Sequence, residues 1–238
     1  MDDSVQIPLD LSISAPEGLD DLIVTEANKD AVSFIRSWPD WPGPIAVLAG
    51  PVGGGKSHLA AIWAQQSKAL VLDSLTGLEC LPEAGTNVVL EDLEAGNFDQ
   101  TALFHLINSA RAHSTSLLLT SRFWPGNWDI QLPDLQSRIR LAHLLELSEP
   151  DDELLRGVLS KMFFDRQIEV EPNVIDYLVL RMERSLAYAR QVVAELDALS
   201  MSQKRPITRP LAAIALRQLG LQEQLDLPIM QQPLSRKD

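Results

Sequence analysis

The chain contains a single cysteine, Cys80, among its 238 residues. One thiol cannot form an internal disulfide, and it cannot supply the cysteine clusters that hold structural metals. The four histidines, at positions 58, 105, 113 and 143, do not show the spacing of metal ligands either. These absences exclude disulfide-stapled proteins and proteins built around a cysteine–histidine metal cluster.

Basic residues are also scarce, since 20 lysines and arginines stand against 33 acids and give a formal net charge of −13. Such a charge argues against a large DNA-binding face. The chain lacks an apolar run of about 18 residues, the length that spans a bilayer. Its acidic start, Met1-Asp2-Asp3-Ser4, is neither a secretory signal nor a transit peptide. We expect a cytoplasmic, nucleoid-associated protein without membrane contact.

Residues 50–57 fit the pattern of a phosphate-binding loop, G-x-x-x-x-G-K-[ST]. The apolar run 45–49 before it predicts a buried strand, and the run 59–64 after it predicts a helix, which is the context the motif needs. Backbone N–H groups of such a loop surround phosphate oxygens, while the lysine reaches the β- and γ-phosphates and the serine helps hold Mg²⁺. The alternative is a glycine-rich turn that binds nothing. The residues predicted here to bind ADP or ATP are Gly50, Pro51, Val52, Gly53, Gly54, Gly55, Lys56, Ser57 and His58.

Strands and helices alternate along residues 45–147, and only helices are predicted beyond residue 148. Further strands are predicted at 69–73, 87–90, 116–120 and 143–147, and helices at 30–37, 100–113 and 133–140. This alternation predicts an α/β core with a five-stranded parallel sheet. Helical spacing of apolar residues predicts helices at 151–165, 172–182, 186–201 and 208–219. The predicted organisation is an extended tail (1–15), a nucleotide-binding core (16–148), a small all-helical subdomain (149–220) and a mobile C-terminal tail (221–238).

Two carboxylates, Glu91 and Asp92, directly follow the predicted strand 87–90. Acids in that place hold the Mg²⁺ shell and polarise the attacking water in P-loop ATPases, so we predict both as catalytic residues and as metal ligands with Ser57. Most ring ATPases have Asp first, and the reversed order here argues against efficient hydrolysis. The alternative is that two acids merely end a strand.

Polar residues end the strand predicted at 116–120. Thr120 or Ser121 is placed to sense the γ-phosphate or the catalytic water by hydrogen bonding. A hydroxyl that caps the following turn is the alternative interpretation.

Arginines recur just before the fifth predicted strand and in the helical subdomain. Arg138, with Arg140 beside it, could enter a neighbouring protein's nucleotide site as an arginine finger in trans. A surface salt bridge is the alternative from spacing alone. Arg190 lies on a predicted helix of the subdomain, from which it could reach back to phosphate oxygens.

Together these motifs resemble the AAA+ superfamily and, within it, the DnaA family of replication initiators, over roughly residues 17–220. The resemblance implies an AAA+ P-loop core with a helical lid subdomain. Residues 19–28 look like the stretch that packs near adenine, which adds Ile23, Val24 and Asn28 to the predicted nucleotide site. Residues 136–138 resemble the arginine-finger segment, and residues 188–190 resemble the helix with the second sensor arginine.

The sequence departs from DnaA in three respects. Arg122 stands where DnaA often has Asp, and the paired acids are Glu-Asp. The helix-turn-helix domain and the N-terminal helicase-loading domain of DnaA have no counterpart. The chain is therefore most similar to the Hda subfamily, which inactivates DnaA after initiation. This resemblance implies a regulator that promotes ATP hydrolysis by DnaA, while its own ATPase activity is weak; whether it forms a homo-oligomer stays open.

A short tail motif extends the resemblance. Residues 6–11 fit the type Gln-Leu-x-Leu-x-Leu, with which proteins dock on the bacterial DNA polymerase III sliding clamp. The predicted clamp-binding residues are Gln6, Ile7, Leu9 and Leu11, and DNA would be contacted only through the clamp. Residues 224–229 fit nearly as well, and the sequence does not decide which tail docks.

Two other functions remain open at this stage. A helicase loader would need robust hydrolysis and a helicase-binding extension. A DNA-binding variant of the initiator would bind DNA in a salt-dependent manner without the clamp.

Overall fold

The structure, a computed structural model, describes residue 18 and residues 21–72, 83, 85–93 and 98–226, with residues 221–226 described by their backbone only. The strands are β1 (Ile45–Ala49), β2 (Leu70–Leu72), β3 (Val88–Leu90), β4 (Leu117–Ser121) and β5 (His143–Glu146). The helices are α1 (Lys29–Arg36), α2 (Lys56–Ser67), α3 (Gln100–Ala112), α4 (Pro133–Ile139), α5 (Asp152–Asp165), α6 (Pro172–Val179), α7 (Leu186–Gln203) and α8 (Arg209–Asp226). A 3₁₀ turn covers Pro125–Asn127.

The strands form one five-stranded parallel sheet in the order β2-β3-β4-β1-β5, which confirms the predicted fold class. Side chains alternate between the two faces of a strand. Ile45 and Val47 of β1 therefore pack in the layer with α3 and α4, while Ala46 and Leu48 pack in the layer with α1 and α2. Because β1 lies between β4 and β5, the loop after it begins at the carboxyl edge of the sheet beside the central strand, β4.

Local sequence signals explain where several helices begin. Asp99 accepts hydrogen bonds from the N–H groups of Thr101 and Ala102 at the start of α3. Ser185 accepts one from the N–H of Tyr188 at the start of α7. These side chains satisfy N–H groups that have no partner inside the helix. Helices α4 and α6 each begin with a proline, whose missing N–H costs nothing in the first turn.

Helices α5 to α8 share a hydrophobic core of their own, separate from the two layers of the sheet. Helix α8 continues to Asp226, whereas the sequence predicted a helix end at residue 219 and a mobile tail from residue 221. Residues 221–226 are therefore helical and not part of a tail. Leucine, glutamine and glutamate favour the helix, and the single glycine Gly220 does not end it. Within the described residues, no helix is long and apolar enough to cross a membrane.

The junction between sheet and helical subdomain is fixed by Asp151. Its carboxylate accepts the N–H of Leu154 at 2.7 Å and so caps α5. Partial burial opposes ionisation, but hydrogen bonds from Leu154, from the Thr25 side chain and from the Ala27 backbone outweigh burial and lower the pKa of Asp151. A carboxyl whose pKa is lowered by folding stabilises the fold above its unfolded-state pKa, near 4, and loses that contribution as the pH falls through its folded-state pKa.

Replacing Asp151 with alanine is expected to lower the free energy of unfolding by about 1 kcal/mol at neutral pH, because the cap of α5 is lost. Asp151→Asn is the matched variant, since asparagine caps helices but does not titrate. Urea unfolding from pH 7 down to pH 3 should show a steeper loss of stability in the wild type than in Asp151→Asn. Equal pH dependence in the two proteins would contradict the role of the ionised carboxylate.

Candidate nucleotide-binding site

The phosphate-binding loop joins β1 to α2 in a backbone conformation that requires glycine. Gly53 and Gly55 have φ angles of 74° and 100°, in the left-handed region. A Cβ on Gly50 would lie 2.4 Å from the carbonyl oxygen of Leu147. The loop therefore has no room for side chains at its turns. Phosphate-binding loops have the same property, because their backbone N–H groups surround the phosphate. The rest of the loop comprises Pro51, the exposed Val52, the buried Gly54, the exposed Ser57 and the partly buried His58.

Lys56 lies at the start of α2 with its side chain folded back over the loop. Its Nζ donates to the carbonyl oxygens of Gly50 and Pro51, both at 2.8 Å, and the residue is only 7% exposed. Burial is the largest cause that lowers the pKa of Lys56; the charge of Arg122 lowers it further, whereas Asp92 and Glu91 act in the opposite direction. The ammonium group can exchange loop carbonyls for phosphate oxygens without leaving the loop.

The acid pair lies at the carboxyl end of β3, close enough to influence the Lys56 charge. The N–H of Glu91 donates to Leu72 O at 2.9 Å, so this residue continues the edge pairing of β3 with β2. Asp92 has a φ of 52° and turns out of the strand, and its side chain is exposed. The predicted acids therefore lie within electrostatic range of the loop lysine, and their roles in catalysis and metal binding stay predictions.

Thr120 and Ser121 end β4 and are completely buried. Thr120 Oγ1 accepts the N–H of Asp92 at 3.0 Å. Ser121 Oγ donates to Leu93 O at 2.6 Å and accepts from Trp128 Nε1 at 3.0 Å. Both hydroxyls hold the turns after β3 and β4, as in the alternative interpretation, and a role in phosphate sensing stays a prediction.

The segment predicted to lie near adenine is folded around Asn28. Asn28 accepts the N–H of Thr25 and donates to Ile23 O, each at 2.9 Å. Ile23 packs against α5, where a Cβ on Gly157 would lie 3.0 Å from Ile23 Cδ1. Val24 is 41% exposed. The side chain of Asn28 thus holds this segment in its folded shape. Ile23 lies between the α/β core and helix α5 of the helical subdomain.

The helical subdomain touches the phosphate-binding loop directly, a contact that the sequence did not predict. The N–H of Leu186, the first residue of α7, donates to Gly53 O at 2.8 Å. A Cβ on Gly53 would lie 2.0 Å from Ser185 Oγ. A serine before apolar residues at helical spacing predicts the start of a helix. The sequence does not show that this helix start contacts the glycine loop. The loop and α7 therefore depend on each other's position.

Arg190 lies on the exposed side of α7, one helical turn beyond Leu186 and so roughly 6 Å further along the helix axis. Within the residues that the structure describes, the Arg190 side chain makes no hydrogen bond or ion pair. A contact between Arg190 and phosphate stays a prediction.

Arg138 lies in the last turn of α4, in the layer on the opposite face of the sheet from α2. Its guanidinium carbon is 4.9 Å from the centre of the Phe104 ring, a cation–π contact that holds the side chain against α3. In the described part of the chain no carboxylate pairs with Arg138, so the salt bridge weighed as an alternative does not form there. Arg140, two residues on, is exposed.

The predicted clamp-binding residues Gln6, Ile7, Leu9 and Leu11 lie outside the described residues, as does Cys80. The backbone of Gln224 to Asp226 is described and belongs to α8. The C-terminal motif therefore starts inside a helix, unlike the extended peptides that dock on clamps.

Comparison with known proteins places these features in a family context. Residues 152–216 match the family model described as "Hda, lid domain". An uncharacterized protein of Haemophilus influenzae is 28% identical over 195 residues, which cover 75% of this chain and 84% of that protein. The chromosomal replication initiator protein DnaA of Cutibacterium acnes is 23% identical over 120 residues, which cover 50% of this chain but only 24% of that DnaA.

Solved structures show the same fold. Domain III of the Thermotoga maritima replication initiation protein DnaA superposes with a TM-score of 0.71 at 17% identity, over 84% of this chain and 95% of that domain. AMPPCP-bound DnaA from Aquifex aeolicus superposes with a TM-score of 0.65 at 20% identity, over 87% of this chain and 69% of that structure. The chain shares the fold of domain III of DnaA, and its residues 152–216 match the lid-domain model of Hda.

Proposed function

We propose that the chain is a regulator of replication initiation that binds ADP or ATP with Mg²⁺, docks on the sliding clamp and promotes hydrolysis of the ATP bound by DnaA. The observation that carries the proposal is the contact between Leu186 and Gly53. This hydrogen bond joins the segment that matches the Hda lid domain to the phosphate-binding loop. A cytoplasmic, nucleoid-associated location follows from such partners.

The residues present fit a nucleotide. Gly50 and Gly53 pack so closely against Leu147 and Ser185 that a Cβ would collide, which fixes the loop in a conformation that only glycine permits. Among the described residues, no three His, Cys, Asp or Glu side chains are grouped to hold a metal ion. Mg²⁺ would therefore need phosphate oxygens in addition to Ser57, Glu91 and Asp92, and when bound it would neutralise phosphate charge.

Hydrolysis by the chain itself is proposed to be weak. The acids stand in the reversed order, and Thr120 and Ser121 are occupied in holding turns. The nucleotide would then act mainly as a structural ligand that fixes the loop against α7. Family relatives that regulate DnaA in this way would not need turnover of their own nucleotide.

The group proposed to act on DnaA is the guanidinium of Arg138. Phe104 holds it in the α3–α4 layer, away from the helix that follows the chain's own phosphate-binding loop. An arginine in that layer can enter the nucleotide site of a neighbouring molecule and stabilise the charge that develops on the transferred phosphoryl group. In this proposal, the ATP that is hydrolysed is the one bound by the partner.

Clamp docking is proposed for the N-terminal tail, because the C-terminal motif begins inside α8. A protein that lacks residues 1–12 is expected to lose retention on clamp-loaded DNA, since the glutamine and the alternating apolar side chains supply the contact. Gln6→Ala should weaken retention, whereas the matched change Gln224→Ala at the other motif should not. The measurement is a pull-down on clamp-loaded DNA, with nucleotide binding in solution as the folding control.

Equal recovery of the intact and the truncated protein would reject docking by the N-terminal tail. Loss of recovery with Gln224→Ala alone would assign docking to the C-terminal motif instead.

A further inference from the structure

Gln100, the first residue of α3, holds the segment that leads into α4. Its Nε2 donates to Asp129 O at 3.0 Å, and its Oε1 accepts the N–H of Gln131 at 2.8 Å and the N–H of Leu132 at 3.2 Å. All three partners are backbone groups, 29 to 32 residues further along the chain. Nothing in the function proposed so far uses this side chain.

The segment that Gln100 holds has little packing of its own. Asp129, Gln131 and Leu132 are exposed, and Leu132 occupies the N-cap position of α4. The carbonyl oxygen of Leu132 accepts the N–H of Gln136 at 3.0 Å, which is the hydrogen bond that starts the helix. The amide of Gln100 therefore fixes the place where α4 begins.

The other end of α4 is held by the same face of α3. Gln100 and Phe104 are four residues apart, a spacing that puts two side chains on one side of a helix. The Phe104 ring contacts the guanidinium of Arg138 in the last turn of α4. Leu135 and Ile139 of α4 are buried in the hydrophobic core to which α3 also contributes. Helix α3 thus contacts α4 near both of its ends.

Helix α4 has seven residues, too few to keep its position without such contacts. Helices shorter than about 12 residues are only marginally stable by themselves, so contacts with the rest of the protein decide how α4 is oriented. The orientation matters for an arginine that acts on a partner, because a displacement of about 1 Å at a reacting centre can lower a rate by about a hundredfold. Phe104 restrains the side chain of Arg138, whereas Gln100 restrains the backbone at the start of α4.

We propose that Gln100 is a positioning residue for Arg138: by fixing the start of α4, it sets the direction in which the guanidinium is presented to DnaA. The inference rests on the proposed function of Arg138 and adds the residue that orients it. Gln100 acts only through α4 and makes no contact with the nucleotide of DnaA.

The test is single-turnover hydrolysis by ATP-bound DnaA on clamp-loaded DNA, measured over a range of concentrations of the intact chain. Gln100→Ala is expected to lower the maximal rate by about tenfold or more, because the arginine is misdirected. The concentration that gives half of the maximal rate should change by no more than about twofold, since the contact surface is kept. Gln100→Glu should recover part of the rate, because its carboxylate accepts the N–H groups of Gln131 and Leu132 but cannot donate to Asp129 O.

The matched control is Gln203→Ala, which removes the same side chain from the exposed last residue of α7. It should accelerate hydrolysis as the wild type does. A maximal rate of Gln100→Ala equal to that of this control would overturn the inference, and so would a change confined to the half-maximal concentration. Either result leaves the proposed role of Arg138 standing.

Thermal unfolding checks that Gln100→Ala folds. If it does not, Gln100→Met takes its place, since methionine favours helix and keeps the length of the side chain without the amide. The same lowered maximal rate is then expected, and a rate equal to that of the control overturns the inference. A wild type that does not accelerate hydrolysis, or an Arg138→Ala variant that does so fully, would overturn the inference together with the proposed function.

Discussion

Replacing Arg138 with alanine is expected to abolish the acceleration of DnaA's ATP hydrolysis while leaving nucleotide and clamp binding intact. Arginine fingers supplied in trans raise hydrolysis by about a thousandfold or more, because they stabilise charge that appears only in the transition state. Arg138 is placed for this role by the Phe104 ring, 4.9 Å from its guanidinium carbon. The measurement is single-turnover hydrolysis by ATP-bound DnaA in the presence of clamp-loaded DNA.

Arg140→Ala is the matched control, since Arg140 is an exposed arginine two residues away. It should keep most of the acceleration. Arg138→Lys should remain defective, because lysine keeps the charge but not the planar fork of donors. Full acceleration by Arg138→Ala, or loss with Arg140→Ala alone, would remove Arg138 from this role.

Lys56→Ala is expected to weaken ATP and ADP binding by about a hundredfold, since the charge-assisted contacts to both inner and terminal phosphates are lost. The variant should also show little acceleration of DnaA, because a bound nucleotide would no longer reinforce the contact between α7 and the phosphate-binding loop. Calorimetry with each nucleotide measures the first effect, and the single-turnover assay measures the second.

Lys68→Gln removes the same charge just beyond the far end of α2 and should bind nucleotide as the wild type does. Thermal unfolding without nucleotide checks that Lys56→Ala still folds after it loses its bonds to Gly50 O and Pro51 O. A dissociation constant within about twofold of the wild-type value would contradict the phosphate role of Lys56.

The sheet could be predicted because its signals are local. Each strand contains a short apolar run of two to five residues next to glycine, proline or polar residues, and the structure places the strands within one residue of the predicted ends. The loop at residues 50–57 could be predicted because its backbone needs positive φ angles, which glycine adopts easily. Gly53 and Gly55 have such angles. Local patterns of this kind need no knowledge of distant contacts.

The contacts between distant segments could not be predicted from such patterns. Leu186 meets Gly53 across more than a hundred residues of sequence, and Ile23 meets Gly157 in the same way. Thr120 carries a hydroxyl at a place where a sensor is expected, yet its partner is the backbone of Asp92. The sequence shows which polar side chains end each strand. The packing of the chain decides whether such a side chain is available to a ligand or is hydrogen-bonded to a neighbouring turn.

These contacts suggest how binding at the loop could affect a partner. Gly53 joins the loop to α7, Ile23 packs on α5, and Asp151 fixes the connection between sheet and helices. A nucleotide held at the loop would stabilise this arrangement as a whole. The orientation in which the chain presents Arg138 to another molecule would then depend on the nucleotide, even without turnover.

The most direct test of this account follows the nucleotide bound to DnaA. DnaA loaded with radiolabelled ATP is mixed with clamp-loaded DNA, with and without this chain, and the bound ADP is measured over time. We expect the chain to speed conversion to ADP, and we expect the effect to disappear when the clamp is omitted. The same rate of conversion with and without the chain, at saturating nucleotide and clamp, would contradict it.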